Sequence, residues 1–255
     1  MADTKKYKLA LVLSGGGARG FAHLGALQAL NEKGIYPDII VGTSAGALAG
    51  ALYADGYTPL EIIGLFKKMK FTEFTEFTLP KEGFFKSTRF RAFMRKHLRA
   101  KQFEELKMPL WAVASDIEYG ESHVFSKGDL ISAVVASCSI PIVFTPVEID
   151  GHHYVDGGLF ANFPVSMIRR KCEKLIGVNV SPMNHTEYTR SLKYIIERTF
   201  YSLTTSNSII DRELCDVLIE SCEIAEYSMY DLEHAETIYQ KGYEMAMNAL
   251  NNMNS

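Results

Sequence analysis

Apolar residues in the first 54 positions of the chain follow two alternating patterns. Short, continuously apolar runs at residues 9–13 and 39–41 are typical of strands that are buried on both faces. Each run is followed by a glycine-containing turn and then by a segment with helical spacing of apolar residues, at 21–32 and 45–54. This alternation predicts parallel strands with helices on both faces of the sheet.

The segment from residue 58 to residue 107 departs from that alternation. Helices are predicted at 61–70 and 87–98, and the chain between them is broken at Pro80 and Gly83. We interpret the segment as a helical cap inserted into the domain. Its aromatic and basic side chains either pack this cap, or line an apolar groove, or touch a bilayer. These side chains are Phe71, Phe74, Phe77, Phe84, Phe85, Lys67, Lys68, Lys70, Lys81 and Lys86.

The remainder of the chain continues the α/β pattern. The turn residues Asp150 and Gly151 separate two strand-like runs, which is a hairpin signal. We predict a single α/β domain over residues 1–255, with a C-terminal helix within 221–255. The further strands are expected at 110–115, 122–125, 143–149, 153–155, 175–180 and 217–219, and the further helices at 129–137, 191–210 and 231–251.

Composition narrows the class of protein. The chain is 47% hydrophobic and 22% charged with a net charge of −3, so it lacks the basic balance of a nucleic-acid-binding protein. No apolar run is long enough for a membrane span, and no signal peptide is visible at the N-terminus. The four cysteines form no C-x-x-C pair. These features favour a cytoplasmic protein with reduced thiols that would meet a membrane only from its aqueous side.

The first candidate for chemistry is the turn Gly42-x-Ser44-x-Gly46, between a predicted strand and a predicted helix. A sharp turn in this position exposes a serine hydroxyl as a nucleophile, and Gly42 and Gly46 avoid collisions of a Cβ with the strand and helix. The N–H groups at the start of the helix favour negative charge there. The alternative is that Ser44 only caps the helix.

The glycine-rich loop after the first strand allows two interpretations. Gly15, Gly17 and Gly20 fit a dinucleotide-binding pattern, but the expected acidic residue is misplaced, because Asp38 precedes the second strand. In the second interpretation, the N–H groups of the loop, including that of Gly16, form an oxyanion hole. Arg19 then adds a positive charge near the loop, or tethers it through a salt bridge.

A nucleophilic serine needs a base, for which two kinds of residue are candidates. Histidine is the usual base, but none of the histidines has the context of a catalytic triad. Asp156, followed by Gly157 and Gly158, ends a strand-like run and could act directly if burial moves its pKa towards neutrality. The alternative is that these three residues form only a turn. The histidines are His23, His97, His123, His152, His153, His185 and His234.

In combination, these segments resemble the patatin-like phospholipase family, and its small bacterial members in particular. The resemblance covers roughly residues 8 to 220. It is specific because independent motifs agree in order and spacing. The motifs are Gly15-Gly16-Gly17-Ala18-Arg19-Gly20, Gly42-Thr43-Ser44-Ala45-Gly46, Ala114-Ser115-Asp116, Ala136-Ser137-Cys138-Ser139-Ile140-Pro141, Asp156-Gly157-Gly158 and Leu159-x-x-Asn162-x-Pro164.

The resemblance implies a three-layer α/β/α fold and a serine hydrolase of lipid metabolism that needs no metal or cofactor. It implies a dyad in which Ser44 attacks the ester and Asp156 takes its proton, without a catalytic histidine. The loop from Gly15 to Gly17 would hold the oxyanion. The expected substrate is phospholipid or lysophospholipid. The alternatives are soluble esters or thioesters and, in another class, a nucleotide-binding oxidoreductase that uses the glycine-rich loop.

Overall fold

The computed structural model describes residues 6–66, 76–77 and 83–252. The strands are β1 (Tyr7–Leu13), β2 (Ile39–Thr43), β3 (Glu76–Phe77), β4 (Phe85–Lys86), β5 (Leu110–Asp116), β6 (Glu121–Phe125), β7 (Val147–Ile149), β8 (His152–Asp156), β9 (Cys172–Asn179) and β10 (Val217–Glu220). The helices are α1 (Phe21–Glu32), α2 (Ala45–Ala54), α3 (Pro59–Phe66), α4 (Thr88–His97), α5 (Leu130–Ser137), α6 (Gly158–Ala161), α7 (Val165–Arg169), α8 (Leu192–Ser206), α9 (Ile209–Glu213) and α10 (Ala235–Asn252).

The main sheet is mostly parallel. Strands β10, β9, β1, β2 and β5 lie in this order and pair in parallel. At the far side, β6 and β8 pair antiparallel with β5, and β7 pairs antiparallel with β8. The strands β7 and β8 form the hairpin expected around Asp150 and Gly151, both of which have positive φ angles.

Strands β2 and β8 meet end to end on one edge of β5. On that edge, β2 pairs with residues 110–113 of β5 and β8 with residues 114–116. Strand β6 occupies the opposite edge, because it pairs with residues 112–116. Since β2 runs parallel to β5 and β8 antiparallel, the carboxyl ends of β2 and β8 point at each other. This junction brings the residues at the ends of β2 and β8 together.

Hydrophobic cores lie on both faces of the sheet. In β1, Leu11 and Leu13 point into one core, while Ala10 and Val12 point into the other, and all four are buried. The first core contains apolar residues of α1, α2, α5 and α10, and the second contains residues around α6 and α7. The predicted class, a three-layer α/β/α fold with a mostly parallel sheet, is confirmed.

The described parts of the 58–107 segment pack against the main domain. Ile62 and Phe66 of α3 and Phe93 and Met94 of α4 join the same core as α1 and α2. The helix predicted at 61–70 begins earlier, at Pro59. Residues 67–75 and 78–82 lie outside the described part, so a single domain with a cap insertion stays a prediction. Several of the aromatic and basic side chains of the cap also lie outside the described residues, namely Phe71, Phe74, Lys67, Lys68, Lys70 and Lys81.

Two further predicted helices differ from the observed ones, and side-chain hydrogen bonds explain both differences. The helix predicted at 191–210 is divided into α8 and α9 by a turn at Asn207, whose side chain binds the backbone of Gly158 and Asn162. The C-terminal helix begins only at Ala235, because Asp231 accepts hydrogen bonds from backbone N–H groups just before it. Among the helices of the described residues, none is long and apolar enough to cross a bilayer.

Candidate active site

Ser44 lies on the turn between β2 and α2 in a strained backbone conformation. Its φ angle is 51°, in a region that residues other than glycine rarely adopt and that typically costs about 1–3 kcal/mol. A Cβ on Gly42 would lie 2.5 Å from the carbonyl oxygen of Gly46, and one on Gly46 would lie 2.2 Å from that of Leu13. Glycine is therefore required at both positions. The Ser44 side chain does not cap α2.

The hydroxyl of Ser44 donates a hydrogen bond to Asp156. Its Oγ lies 2.6 Å from Oδ2 of Asp156, although the two residues are 112 positions apart. Ser44 is only 7% exposed and Asp156 only 2%. The contact between these two side chains results from the junction of β2 and β8, since Ser44 comes directly after β2 and Asp156 ends β8. The Oδ1 atom of Asp156 accepts a hydrogen bond from the Gly158 N–H, so the Asp-Gly-Gly segment is also a turn.

Burial controls the protonation of this pair. It raises the pKa of Asp156 to about 7, although the hydrogen bonds from Ser44 and the Gly158 N–H act in the opposite direction. A carboxyl group with this pKa is ionised in a substantial fraction of molecules at neutral pH. It is therefore suited to accept and return a proton.

The end of α5 holds both members of the pair. The Ser44 N–H donates to the Ser137 hydroxyl at 2.8 Å, which in turn donates to the Val113 carbonyl at 2.6 Å. The Asp156 N–H donates to the Ser139 carbonyl at 2.8 Å. The sequence contained these serines in a recognisable motif but gave no indication of what they bind.

Cys138 lies between these two serines and lines the cavity beside Ser44. Burial raises the pKa of its thiol well above the usual range, and the nearby Asp156 carboxylate adds to this effect. The thiol is therefore neutral and a poor nucleophile at neutral pH. None of the four cysteines, all of which lie in the described residues, forms a disulfide, and Cys222 is the exposed one.

Only part of the glycine-rich loop has free N–H groups. The Gly15 N–H donates to the Asn162 carbonyl at 2.9 Å, while those of Gly16 and Gly17 donate to no group of the described chain. The loop borders Ser44, because a Cβ on Gly15 would lie 3.4 Å from that of Ser44. Gly17, with a φ angle of 59°, lines the same cavity as Ser44. The available donors are thus Gly16 and Gly17.

The side chain of Arg19 tethers this loop to a distant part of the chain. Its Nε donates to the Tyr227 carbonyl at 2.7 Å and its Nη2 to the Ala225 carbonyl at 3.1 Å. The guanidinium also lies 4.8 Å from the centre of the Tyr201 ring, and Arg19 is 7% exposed. Arg19 therefore tethers the loop, as one of the two interpretations of the sequence expected, but it binds backbone carbonyl groups and not the carboxylate of a salt bridge.

Histidine plays no part in the hydrogen bonding of Ser44 or Asp156 within the described residues. His23 is fully buried, and its Nε2 donates to the Ser14 carbonyl at 2.8 Å. Burial lowers the pKa of His23 to about 4, so its ring is neutral. Asp38 lies at the other end of the sheet, where it accepts hydrogen bonds from the Lys8 and Leu9 N–H groups. It is not available to a ligand at the glycine-rich loop.

A second group of ionisable side chains lies at the far end of β8. Asp116, Glu118 and His152 offer ligand atoms within 4.8 Å of one another. Much of their capacity is already used. Asp116 accepts from the N–H groups of Glu118 and Tyr119, and Glu118 binds the ring of His153 at 2.9 Å. The group is therefore explained as a set of local turn and ion-pair contacts.

A family of known proteins shares this arrangement of sequence and fold. Residues 11–168 match the model of the patatin-like phospholipase family. The chain belongs to this family.

Individual relatives agree with this assignment. The chain is 35% identical over 192 residues to the mouse patatin-like phospholipase domain-containing protein 7, which covers 71% of this chain and 14% of that protein. It is 32% identical over 203 residues to the lysophospholipase NTE1 of Candida glabrata, covering 74% of this chain and 12% of that protein. The chain thus spans only a small part of these relatives' length.

A solved structure shares the fold. VipD from Legionella pneumophila superposes with a TM-score of 0.58 at 14% sequence identity, covering 97% of this chain and 67% of that one.

Proposed function

We propose that this chain hydrolyses acyl esters of lipids, with Ser44 as nucleophile and Asp156 as its acid/base partner. The observation that carries the proposal is the 2.6 Å hydrogen bond between these two buried side chains at the junction of β2 and β8. Membership of the patatin-like phospholipase family favours a phospholipid ester, and the name of the fungal relative, a lysophospholipase, favours a lysophospholipid.

The first half of the reaction transfers the acyl group to the enzyme. The Ser44 oxygen forms a bond to the ester carbonyl carbon while its proton passes to Oδ2 of Asp156, and the carbonyl oxygen becomes an oxyanion. When the tetrahedral adduct collapses, the bond to the leaving alcohol breaks and the alcohol oxygen takes the proton from Asp156. The products are the free alcohol and an acyl ester on Ser44, with Asp156 ionised again.

The oxyanion is stabilised by the N–H groups of Gly16 and Gly17, which are free of other partners in the described chain. Such donors typically contribute about 2.7–4 kcal/mol each to the transition state. Gly15 has a structural role, because its N–H is bound to Asn162. Arg19 acts by holding the loop and does not contact the oxyanion.

The second half of the reaction releases the acyl group by the same steps with water. The water oxygen forms a bond to the acyl carbon while Asp156 takes a proton from the water. Asp156 then returns this proton to the Ser44 oxygen as the acyl–serine bond breaks. The product is a free fatty acid. No other titrating group is needed in either half.

The pH dependence of the reaction tests the role of Asp156. Because only the ionised carboxylate can accept the serine proton, kcat/KM is expected to rise with pH through a single ionisation near the pKa of Asp156, about 7. Initial rates with a soluble ester measure this profile. A profile that is flat between about pH 5 and about pH 9 would contradict a base with this pKa.

The substrate class is tested by lipid profiling. The purified protein is incubated with vesicles of phospholipid, with lysophospholipid and with short soluble esters, and released fatty acid is quantified beside Ser44→Ala. We expect release from a lipid substrate that depends on Ser44. If the protein hydrolyses only soluble esters or thioesters, its substrate is a soluble acyl ester and not a lipid. Activity retained in Ser44→Ala would contradict the mechanism.

A further inference from the structure

An apolar channel begins at the nucleophile and follows helix α2. The residues of α2 that line it are Ala45, Leu48, Ala49 and Leu52, which come one, four, five and eight positions after Ser44. This spacing places all four on one face of the helix. The opposite wall comes from Phe21 and Leu24 of α1 and from neighbouring elements. The channel is thus a continuation of the site and not a separate cavity.

The lining of the channel becomes more buried along α2. Ala45 and Leu48, near the nucleophile, are half-buried. Further along, Ala49 is 5% exposed, Leu52 is fully buried, and Ile62 of α3 is 1% exposed. Leu52 and Ile62 therefore form its floor.

The chemistry of the lining selects a hydrocarbon. Among the described residues that line the channel, none is charged, and polar side-chain atoms come only from Ser44, Cys138 and Tyr230. An ionic head group would lose its hydration here without gaining a partner, whereas an acyl chain would gain from burial. The channel therefore suits the acyl side of the scissile ester, and the head group lies outside it.

Two magnitudes limit the length of that acyl chain. Eight residues of α-helix separate Ser44 from Leu52, which corresponds to about 12 Å. An extended hydrocarbon advances roughly 1.3 Å per carbon–carbon bond, so this depth holds about nine bonds. The cavity volume of about 160 Å³ is close to the ~150 Å³ of an apolar cavity that binds benzene. Both values are too small for a complete long-chain fatty acyl group.

We infer that the channel binds the acyl group as a single chain of about six to ten carbons, and that its floor makes the protein prefer medium-chain over long-chain esters. The inference rests on the proposed function, because it takes Ser44 as the point where the ester is cleaved. It adds the residues that determine chain-length specificity, which are Leu52 and Ile62 at the floor of the channel and Ala49 at its wall.

The test is a chain-length profile of kcat/KM. Nitrophenyl esters from butanoyl to hexadecanoyl are used below the concentrations at which they aggregate, with the wild type, Leu52→Ala and Ala49→Leu. In the wild type we expect an optimum at octanoyl or decanoyl, with hexadecanoyl about tenfold lower or more. Leu52→Ala deepens the channel and shifts the optimum to longer chains. Ala49→Leu blocks it halfway and shifts the optimum to butanoyl.

The matched control is Leu27→Ala. Leu27 is 1% exposed and belongs to the same core as Leu52, but it does not line the channel. Its replacement creates a similar packing defect and is expected to leave the chain-length profile unchanged. Because Leu52→Ala and Ala49→Leu act in opposite directions, a folding defect in one, detected by thermal melting, leaves the other decisive.

The outcomes separate the inference from the proposed function. A wild-type optimum at hexadecanoyl, or a profile that neither variant shifts, would overturn the inference while ester hydrolysis itself stands. An equal shift in Leu27→Ala would also overturn it. A folded protein that hydrolyses none of these esters and fails the lipid test would overturn the proposed function and, with it, this inference.

Discussion

Replacing Ser44 with alanine is expected to lower kcat/KM for ester hydrolysis by on the order of 10⁴- to 10⁶-fold, the range seen when a hydrolase loses its nucleophile. The reason is that, in the part of the chain that the structure describes, no other group beside the site is placed to form the acyl-enzyme. The neighbouring thiol of Cys138 is neutral, because burial and Asp156 hold its pKa well above the usual range. Initial rates and covalent labelling by a fluorophosphonate measure the loss, and both should disappear together.

A suitable control for this variant is Ser139→Ala. Ser139 is also a buried serine beside the site, but its hydroxyl donates only to the Val135 carbonyl. Its backbone carbonyl, which binds Asp156, is kept in the alanine variant. We expect this variant to retain labelling and most of the activity. If Ser44→Ala were labelled as fast as the wild type, a different nucleophile would have to be sought.

Replacing Asp156 with asparagine has the second largest expected effect, a fall in kcat of roughly 10³- to 10⁴-fold with the fold intact. Asparagine has one acceptor oxygen where aspartate has two. If this oxygen keeps the hydrogen bond of the Gly158 N–H, the amide NH₂ faces Ser44 and donates to its oxygen. The serine proton then has no acceptor. Initial-rate kinetics on the purified variant measure this fall in kcat.

The same variant should be more stable than the wild type at alkaline pH. Burial raises the pKa of Asp156 from its ordinary value of 3.8 to about 7, so the folded state favours the neutral acid. The free energy of unfolding therefore falls as pH rises from about 4 through about 7, by on the order of 4 kcal/mol at most. Asparagine, which stays neutral, escapes this loss.

Thermal melting at two pH values measures this difference. The melting temperature of Asp156→Asn should exceed that of the wild type at about pH 8, and the difference should shrink towards about pH 5. Asp156→Glu, which keeps a charge, serves as the control and should not gain stability. A stability difference between the two proteins that does not change between about pH 5 and about pH 8 would mean that the pKa of Asp156 is not raised in the folded protein.

The sequence predicted the parts of the structure that depend on local patterns. The helices α1 and α2 begin and end where the spacing of apolar residues and the flanking glycines indicate. The buried strands β1, β2 and β5 are likewise visible as apolar runs. Helices α6 and α7 were not predicted, because segments of four and five residues are too short to show a helical period.

The candidate site was predicted as a set of residues but not as a geometry. The motifs named Ser44 and Asp156, yet their contact depends on β8 pairing with β5 just beyond the end of β2, a long-range pairing that no local signal encodes. The use of the Gly15 N–H by Asn162 and the anchoring of Arg19 on residues 225–227 are equally non-local. Sequence reasoning therefore could not separate the free donors of the loop from the occupied ones.

Because β2 and β8 meet end to end on one edge of β5, the proposed catalytic pair and the 58–107 segment can change independently during evolution. Ser44 and Asp156 lie at the ends of β2 and β8, which both pair with β5, so their spacing does not depend on the 58–107 segment that lies between them in the chain. Lengthening the loops of that segment costs little in loop-closure entropy and leaves the pair in position, provided that Ile62, Phe66, Phe93 and Met94 keep their places in the core. Variation in that segment can therefore alter the floor of the channel at Ile62 while Ser44 and Asp156 keep their contact.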